Sequence, residues 1–320
     1  MRSGTTSKLE YQHRVNRVLD HIQRHRGEDL SLETLARVAA FSPFHFHRVF
    51  QAVTGENLKE FVQRVRLEWA GSMLVLRPHA DVLEIALECG FQSASAFARA
   101  FKARFGMSAT EWRSGGAEAW SKNRQAERNP GQALRKACNA AAEADGHSSS
   151  RGASDAPTTE EYMNVSVKTV PNYRLAYVRC MGPYGPQSGI PQTWTRLQRW
   201  AAARDLWTPE RLCLGIAHDN PHITAPEKCR YDACLVVPAG FEADAQVNVV
   251  DFPGGKFAVA PFRGTARDIG PFWDRVFAEW LPQSGYQPDD RPCVEAYPGE
   301  AFDETTTVFT CELWTPVRPL

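Results

Sequence analysis

Two short stretches place an arginine at the same point of the same pattern. Ala36 to Gly55 reads ARVAAFSPFHFHRVFQAVTG, and Ala86 to Gly106 reads ALECGFQSASAFARAFKARFG. Ala36, Ala40 and Phe41 recur 50 positions on as Ala86, Gly90 and Phe91; Phe46, Arg48, Phe50 and Gly55 recur 51 positions on as Phe97, Arg99, Phe101 and Gly106. In each copy the phenylalanines spaced i, i+4 must face a core. That turns the stripe Phe44, His47, Arg48 and Gln51 outward in the first copy and Ser95, Ala98, Arg99 and Lys102 in the second. An outward guanidinium is a planar fork that fits guanine O6 and N7 in a major groove. Lys59, Arg64, Arg66, Lys102 and Arg104 are the candidates for neutralising phosphate.

A carboxylate near the other end invites different chemistry. In RPCVEAYP, residues 291–298, strand alternation points Cys293, Glu295 and Tyr297 to one side, flanked by apolar and aromatic sequence. A carboxylate in such a place needs a protein cation such as Arg291 or Arg263, a hydroxyl, or a bound cation. Tyr184, Trp194, Trp273, Tyr297 and Trp314 are candidate flat walls for an aromatic cation. Two other uses stay open. Glu295 beside Tyr184 or Tyr297 could polarise a water, which would make the domain a small-molecule hydrolase; or the domain binds a protein, which predicts an exposed apolar patch.

Other chemistry finds little support. His218 and His222 are spaced i, i+4, but Pro221 between them disfavours a helix, and His45 and His47 fall on different helix faces, so no metal site is expected. The eight cysteines (Cys89, Cys138, Cys180, Cys213, Cys229, Cys234, Cys293 and Cys311) contain no C-x-x-C pair and read as reduced, buried thiols. No nucleotide-binding loop or G-x-S-x-G motif appears, and no cofactor is expected.

The elements that hold these residues fall into two parts. The 320 residues, 43% hydrophobic and 23% charged, suit about two globular domains and exclude a disordered or fibrous chain. Lysine and arginine number 37, as do aspartate and glutamate, yet residues 1–115 hold 16 basic against 12 acidic and residues 161–320 hold 15 against 19. A basic front and an acidic rear imply separate jobs. Residues 8–114 read as all-helical: Val15, Val18, Leu19 and Ile22 recur at helical steps, Ser31 caps a helix carrying Leu32, Leu35 and Ala36, and a long helix from Leu58 to Leu76 ends before Pro78. The repeat makes this part a double helix-turn-helix. Residues 115–160, rich in Ala, Ser, Gly and charge, read as a flexible linker with a frayed helix near Gln132 to Ala144. Residues 161–320 carry a second repeat, Val170 to Gly182 matching Phe252 to Gly264 at an offset of 82, each followed by one helix. This predicts an α+β domain made of duplicated strand-helix-strand-strand units in one pseudo-symmetric sheet with helices on one face. No apolar run approaches a membrane span and the start lacks a signal-peptide core, so a cytoplasmic protein without a membrane partner is expected.

GFQSASAFARAFKARFGMSATEWR resembles the signature of AraC-type transcriptional regulators, and residues 8–114 resemble that family's whole seven-helix DNA-binding domain. The resemblance implies base contacts at Phe44, His47 and Arg48 in the first reading helix and at Ser95, Ala96 and Arg99 in the second. Ala109 departs from it, standing where the family usually has proline, which predicts a looser cap on the last helix. Residues 162–318, with MGPY at 181–184 and RPCVEAYP, resemble the gyrase-inhibitor-like (GyrI-like) effector-binding domain, whose cleft takes bulky, often cationic, lipophilic molecules and whose buried glutamate matches Glu295. Together they imply a regulator that binds promoter DNA as a monomer, senses a small molecule as in multidrug sensing, and acts on RNA polymerase. Its two reading helices would enter successive major grooves about 34 Å apart.

Overall fold

Polar caps set the helix starts of the front half. Ser31, Ser42, Asn57, Asp81 and Ser93 each accept a hydrogen bond from a backbone N–H of the first turn that follows. The computed structural model describes residues 3–128, 163–185, 188–289, 291–299 and 307–320. Its front helices are α1 (Ser3–Arg24), α2 (Leu32–Val38), α3 (Pro43–Thr54), α4 (Leu58–Leu76), α5 (Val82–Glu88), α6 (Ala94–Phe105), α7 (Ala109–Glu111) and α8 (Ala117–Arg128). The corners between α2 and α3 and between α5 and α6 turn on left-handed residues, Ala40 at φ 53° and Gly90 at φ 81°. At Gly90 a side chain is excluded on a second count, because a Cβ would lie 2.7 Å from the Arg26 carbonyl and from the Arg66 guanidinium.

Each helix-turn-helix unit has its own core, and α4 serves both. Phe61, Val62 and Val65 pack with Phe46, Phe50, Leu35 and α1. Leu67, Ala70, Met73 and Leu74 pack with Ile85, Phe97, Phe101 and Trp112. A single helix shared by two cores fixes the two units relative to each other.

Two expectations about the end of this part are corrected. Ala109 does not loosen the α7 cap: Ser108 accepts from the Glu111 N–H while the Glu111 carboxylate accepts from the Ser108 N–H, a reciprocal capping box. Nor does the expected linker begin at residue 115. After a wide turn over Trp112–Gly116 the chain continues as α8, whose Trp120 packs edge-on to Phe105 and Trp112. Alanine-rich composition hid this, since one tryptophan anchors the helix. The helix expected near Gln132 to Ala144 lies outside the described residues.

The rear half comprises β1 (Ser166–Val170), β2 (Tyr173–Met181), α9 (Ile190–Ala202), β3 (Leu212–Ala217), β4 (Arg230–Val237), β5 (Asn248–Phe252), β6 (Gly255–Gly264), α10 (Ile269–Arg275), β7 (Tyr286–Pro288), β8 (Cys293–Pro298) and β9 (Phe309–Pro319). The sheet runs β1-β6-β9-β8-β3-β4-β2-β5, with β7 beside β9 and antiparallel pairing throughout. The duplication is visible in that order: β3 and β8 meet at the centre, and each half lends its first strand to the other half's edge. Pro171 and Pro253 split the predicted first strand of each copy in two, so the first copy has one strand more than expected, and the short β7 gives the second copy two more.

The sheet separates two environments. One face carries Ala176, Val178, Tyr231, Leu313 and Phe262 under α9 and α10. The other carries Tyr177, Leu214, Val294, Phe257 and Trp314. Against that second face lies α1: Asp20 accepts from the Tyr177 hydroxyl at 2.5 Å and from Arg179 Nη2 at 2.7 Å, and Asn16 donates to Asn248 at 3.2 Å.

Candidate functional site

The outward stripes of α3 and α6 have the geometry their repeats require. Phe46, Phe50, Phe97 and Phe101 are buried, which leaves Phe44, His47, Arg48 and Gln51 on α3 and Ser95, Arg99 and Lys102 on α6 exposed. Phe44 is 70% exposed, unusual for a large apolar side chain and apt for contact with a partner. Ala96 is half-buried at the start of α6, where its N–H donates to the Ser93 cap at 3.2 Å.

Three candidate phosphate contacts are used internally instead. Arg64 is buried, donating to Glu56 Oε1 at 2.6 Å and to Glu68 Oε2 at 3.0 Å. Arg66 donates to the carbonyls of Arg26 and Glu28 at 2.9 Å each, and Arg104 reaches Glu68 Oε1 at 2.7 Å. The spacing of basic residues along α4 cannot tell an outward face from one covered by another part of the chain; Lys59 and Lys102 are the exposed ones.

The Glu295 cluster lies on the helix-covered face of the sheet. Glu295 Oε2 accepts hydrogen bonds from the Tyr297 hydroxyl and the Tyr231 hydroxyl, both at 2.9 Å. Trp194 of α9 stands edge-on to both tyrosines, with ring centroids 5.6 Å from Tyr297 and 6.5 Å from Tyr231, and Tyr184 meets Tyr231 at 6.3 Å. Trp273 of α10 packs on the same face, close enough to lower the carboxyl's pKa. Gly215, opposite Glu295 in the register, makes room for this contact: a Cβ there would sit 2.1 Å from the Tyr231 hydroxyl and 2.8 Å from Glu295 Oε2.

Burial pushes the Glu295 carboxyl above its ordinary range, and the hydrogen bonds from Tyr297 and Tyr231, together with the nearby Trp273, pull it only part of the way back. Burial likewise lifts the Tyr231 and Tyr297 phenols well above theirs, reinforced by the nearby Glu295, so both remain protonated donors. Burial raises the Cys293 thiol to about 12. None of these groups is a ready nucleophile near neutral pH.

The sequence assignment needs three changes here. Trp314 is not part of the Glu295 cluster: it pairs with Val294, whereas Glu295 pairs with Leu313, so Trp314 lies on the opposite face and packs on Phe257. Arg291 does not neutralise Glu295; it binds Asp289 and the carbonyls of Gly254 and Lys256. Tyr231 joins the site without a sequence signal of its own: alternation in RYDACLVV groups it with Ala233 and Leu235 but does not say which face the helices cover. His218 and His222 do not converge, the first binding Asp232 at 2.7 Å and the second Asp274 at 3.0 Å. Among the described residues no cluster suited to a metal ion occurs, and no helix is long and apolar enough to cross a membrane.

Comparison with known families agrees with both halves. Residues 163–318 match the GyrI-like small molecule binding domain, and residues 35–115 match a helix-turn-helix domain of the AraC type. The DNA gyrase inhibitor of Cronobacter sakazakii is 32% identical over 138 residues, 42% of this chain and 85% of that protein. The chain belongs to the AraC-type regulators with a GyrI-like domain. Within the AraC-type part, the HTH-type transcriptional regulator YbfP of Bacillus subtilis is 34% identical over 99 residues, 31% of this chain and 33% of that protein. The EcmrR C-terminal domain superposes with a TM-score of 0.42 at 15% identity, covering 50% of this chain and 99% of that one. This AraC-type, GyrI-like chain is therefore a DNA-binding transcription regulator with a small-molecule-binding domain.

Proposed function

We propose that α3 and α6 read promoter DNA through Phe44, His47, Arg48 and Gln51 and through Ser95, Ala96, Arg99 and Lys102, and that the GyrI-like cleft takes a lipophilic, cationic effector that alters how the complex engages RNA polymerase in the cytoplasm. With two reading helices on one rigid module, one copy of the chain spans two successive grooves without dimer symmetry.

One observation carries the effector class: the Glu295 carboxylate is held among aromatic rings by neutral hydroxyls, and among the described residues no arginine or lysine hydrogen-bonds it. Ionising such a group costs several kcal/mol unless a cation comes to it. A delocalised organic cation offers that charge and gains ring faces at Tyr184, Trp194, Trp273 and Tyr297. The protonated phenols and the raised thiol beside Glu295 favour binding over covalent catalysis.

Calorimetric titration of the full chain with an aryl quaternary ammonium ion and with its neutral tert-butyl isostere tests this. The cation should bind at least about tenfold more tightly, a difference of about 1.4 kcal/mol, and chromatography should recover it unchanged. Preferential binding of the isostere, or conversion to a product, would overturn the reading.

A further inference from the structure

The loop from β3 to β4, residues 218–229, leaves the rear sheet and lies along α4 of the front half. Ile223, 5% exposed, joins the core of the second helix-turn-helix unit beside Phe101, Phe105 and Trp112. Thr224 Oγ1 donates to Glu68 Oε2 at 2.9 Å, and Lys228 Nζ donates to Glu56 Oε2 at 2.8 Å. Glu56 closes the first unit just ahead of α4, while Glu68 lies within α4 and is shared with Arg104 of α6. One loop thus touches both units at the helix that sets their spacing.

The base of the same loop is fastened by a cleft residue. The Tyr184 hydroxyl donates to the Arg230 carbonyl at 2.7 Å and accepts from the Asp219 N–H at 3.2 Å, joining the loop's two ends. The Asp219 carboxylate in turn binds the Arg230 guanidinium at 2.7 Å, and Arg230 reaches Gln23 of α1 at 3.2 Å. The next residue, Tyr231, reaches over Gly215 of β3 to Glu295 on the same face of the sheet. A molecule seated against the Tyr184 and Tyr231 rings therefore touches Tyr184, which joins the loop's two ends, and Tyr231, which follows the loop's end directly after Arg230.

We propose that the 218–229 loop couples occupancy of the cleft to the spacing of the two DNA-reading helices. Resting on the reading of the cleft as the effector site, this adds the route by which the effector acts. A ligand that repositions Tyr184 shifts the hydrogen-bonded base of the loop, and the loop's anchors on Glu56, Glu68 and the second core pass the shift to α4. Because α3 and α6 must meet two grooves together, a small change along α4 alters affinity for the operator without touching a reading side chain.

The test uses the full chain, an operator obtained by binding-site selection, and the aryl quaternary ammonium ion as probe. Thr224→Ala/Lys228→Gln removes the two polar anchors, and Ile223→Ala shortens the apolar one. In the parent, saturating cation should change operator affinity by about fivefold or more and alter hydrogen exchange in residues 58–76. In both variants cation binding should persist while the effect on operator affinity falls to within about twofold and exchange in α4 no longer responds. An undiminished effect in the variants, or a parent that binds cation with no change in operator affinity or α4 exchange, would overturn the proposal. Should the parent not bind the cation at all, the cleft reading fails; the loop is then judged by ligand-free exchange, which must be faster in α4 of the variants, and equal exchange would refute its docking.

Discussion

Arg179 of β2 donates to Asp20 of α1 at 2.7 Å, joining two residues 159 positions apart across the junction of the two halves. The same guanidinium binds Asp232 through Nε at 2.7 Å and Nη2 at 2.6 Å, and all three side chains are buried. A buried charged contact of this kind, in which Arg179 Nη1 is left without a hydrogen-bond partner, fixes orientation more than it adds net stability, because desolvation offsets most of the Coulomb gain.

Acid should undo this junction. Burial would raise the Asp232 carboxyl, but Arg179 and His218 outweigh it and hold it well below the ordinary range; Glu56 is likewise depressed, its burial overcome by Arg64 and Lys228. A depressed carboxylate contributes stability that is complete above its unfolded pKa, here the ordinary 3.8 for Asp and 4.5 for Glu, and that is lost as pH falls below it. Scanning calorimetry should show the halves unfolding together at neutral pH and separating below about pH 4. Asp20→Asn should move that separation to higher pH; an unchanged profile would argue against the junction.

Arg48→Ala and Arg99→Ala should each lose about 1 to 3 kcal/mol of discrimination at guanine positions one helical turn apart. Lys102→Ala should weaken all sequences alike and flatten the salt dependence. Footprinting and anisotropy across a salt series read both effects. Arginine variants that keep the parent specificity would remove α3 and α6 from the reading role.

Arg64 should behave in the opposite way. Its guanidinium is enclosed by Glu56 and Glu68, so Arg64→Ala leaves buried carboxylates short of a partner and should cost about 3 kcal/mol of stability. Lys228 and Arg104 limit the loss by retaining contact with those glutamates. Urea unfolding should detect it. Parent-like stability with a reduced salt slope for DNA binding would return Arg64 to the phosphate-contact role.

The raised Glu295 carboxyl implies proton release on cation uptake. A cation favours the ionised form, so its affinity should rise with pH through the pKa of the empty site and level off above it. Calorimetry in buffers of different ionisation enthalpy counts the protons. Affinity independent of pH from 4 to 8 would mean that Glu295 does not meet the ligand.

Local pattern made the reading helices legible: the i, i+4 phenylalanines fix which stripe is buried, and the repeat confirms it by placing Arg48 and Arg99 alike. Alternation likewise put Glu295 and Tyr297 on one side of β8. What sequence could not convey is which face of a two-sided strand meets helices and which meets another part of the chain. Trp314 and Tyr231 were misassigned and missed for that reason, since both depend on pairing between distant strands. The same limit hid the junction, where Glu56, Arg179 and Asp232 look like ordinary charged residues until Lys228, Asp20 and His218 meet them.

Glu295→Gln keeps size and removes charge, so its effect on a matched cation and neutral isostere, titrated calorimetrically into the full chain, tests the effector assignment most directly. The account predicts that the cation loses about tenfold or more, or about 1.4 kcal/mol, while the isostere barely changes and operator binding stays intact. Equal losses for both ligands, or no loss for either, would contradict it.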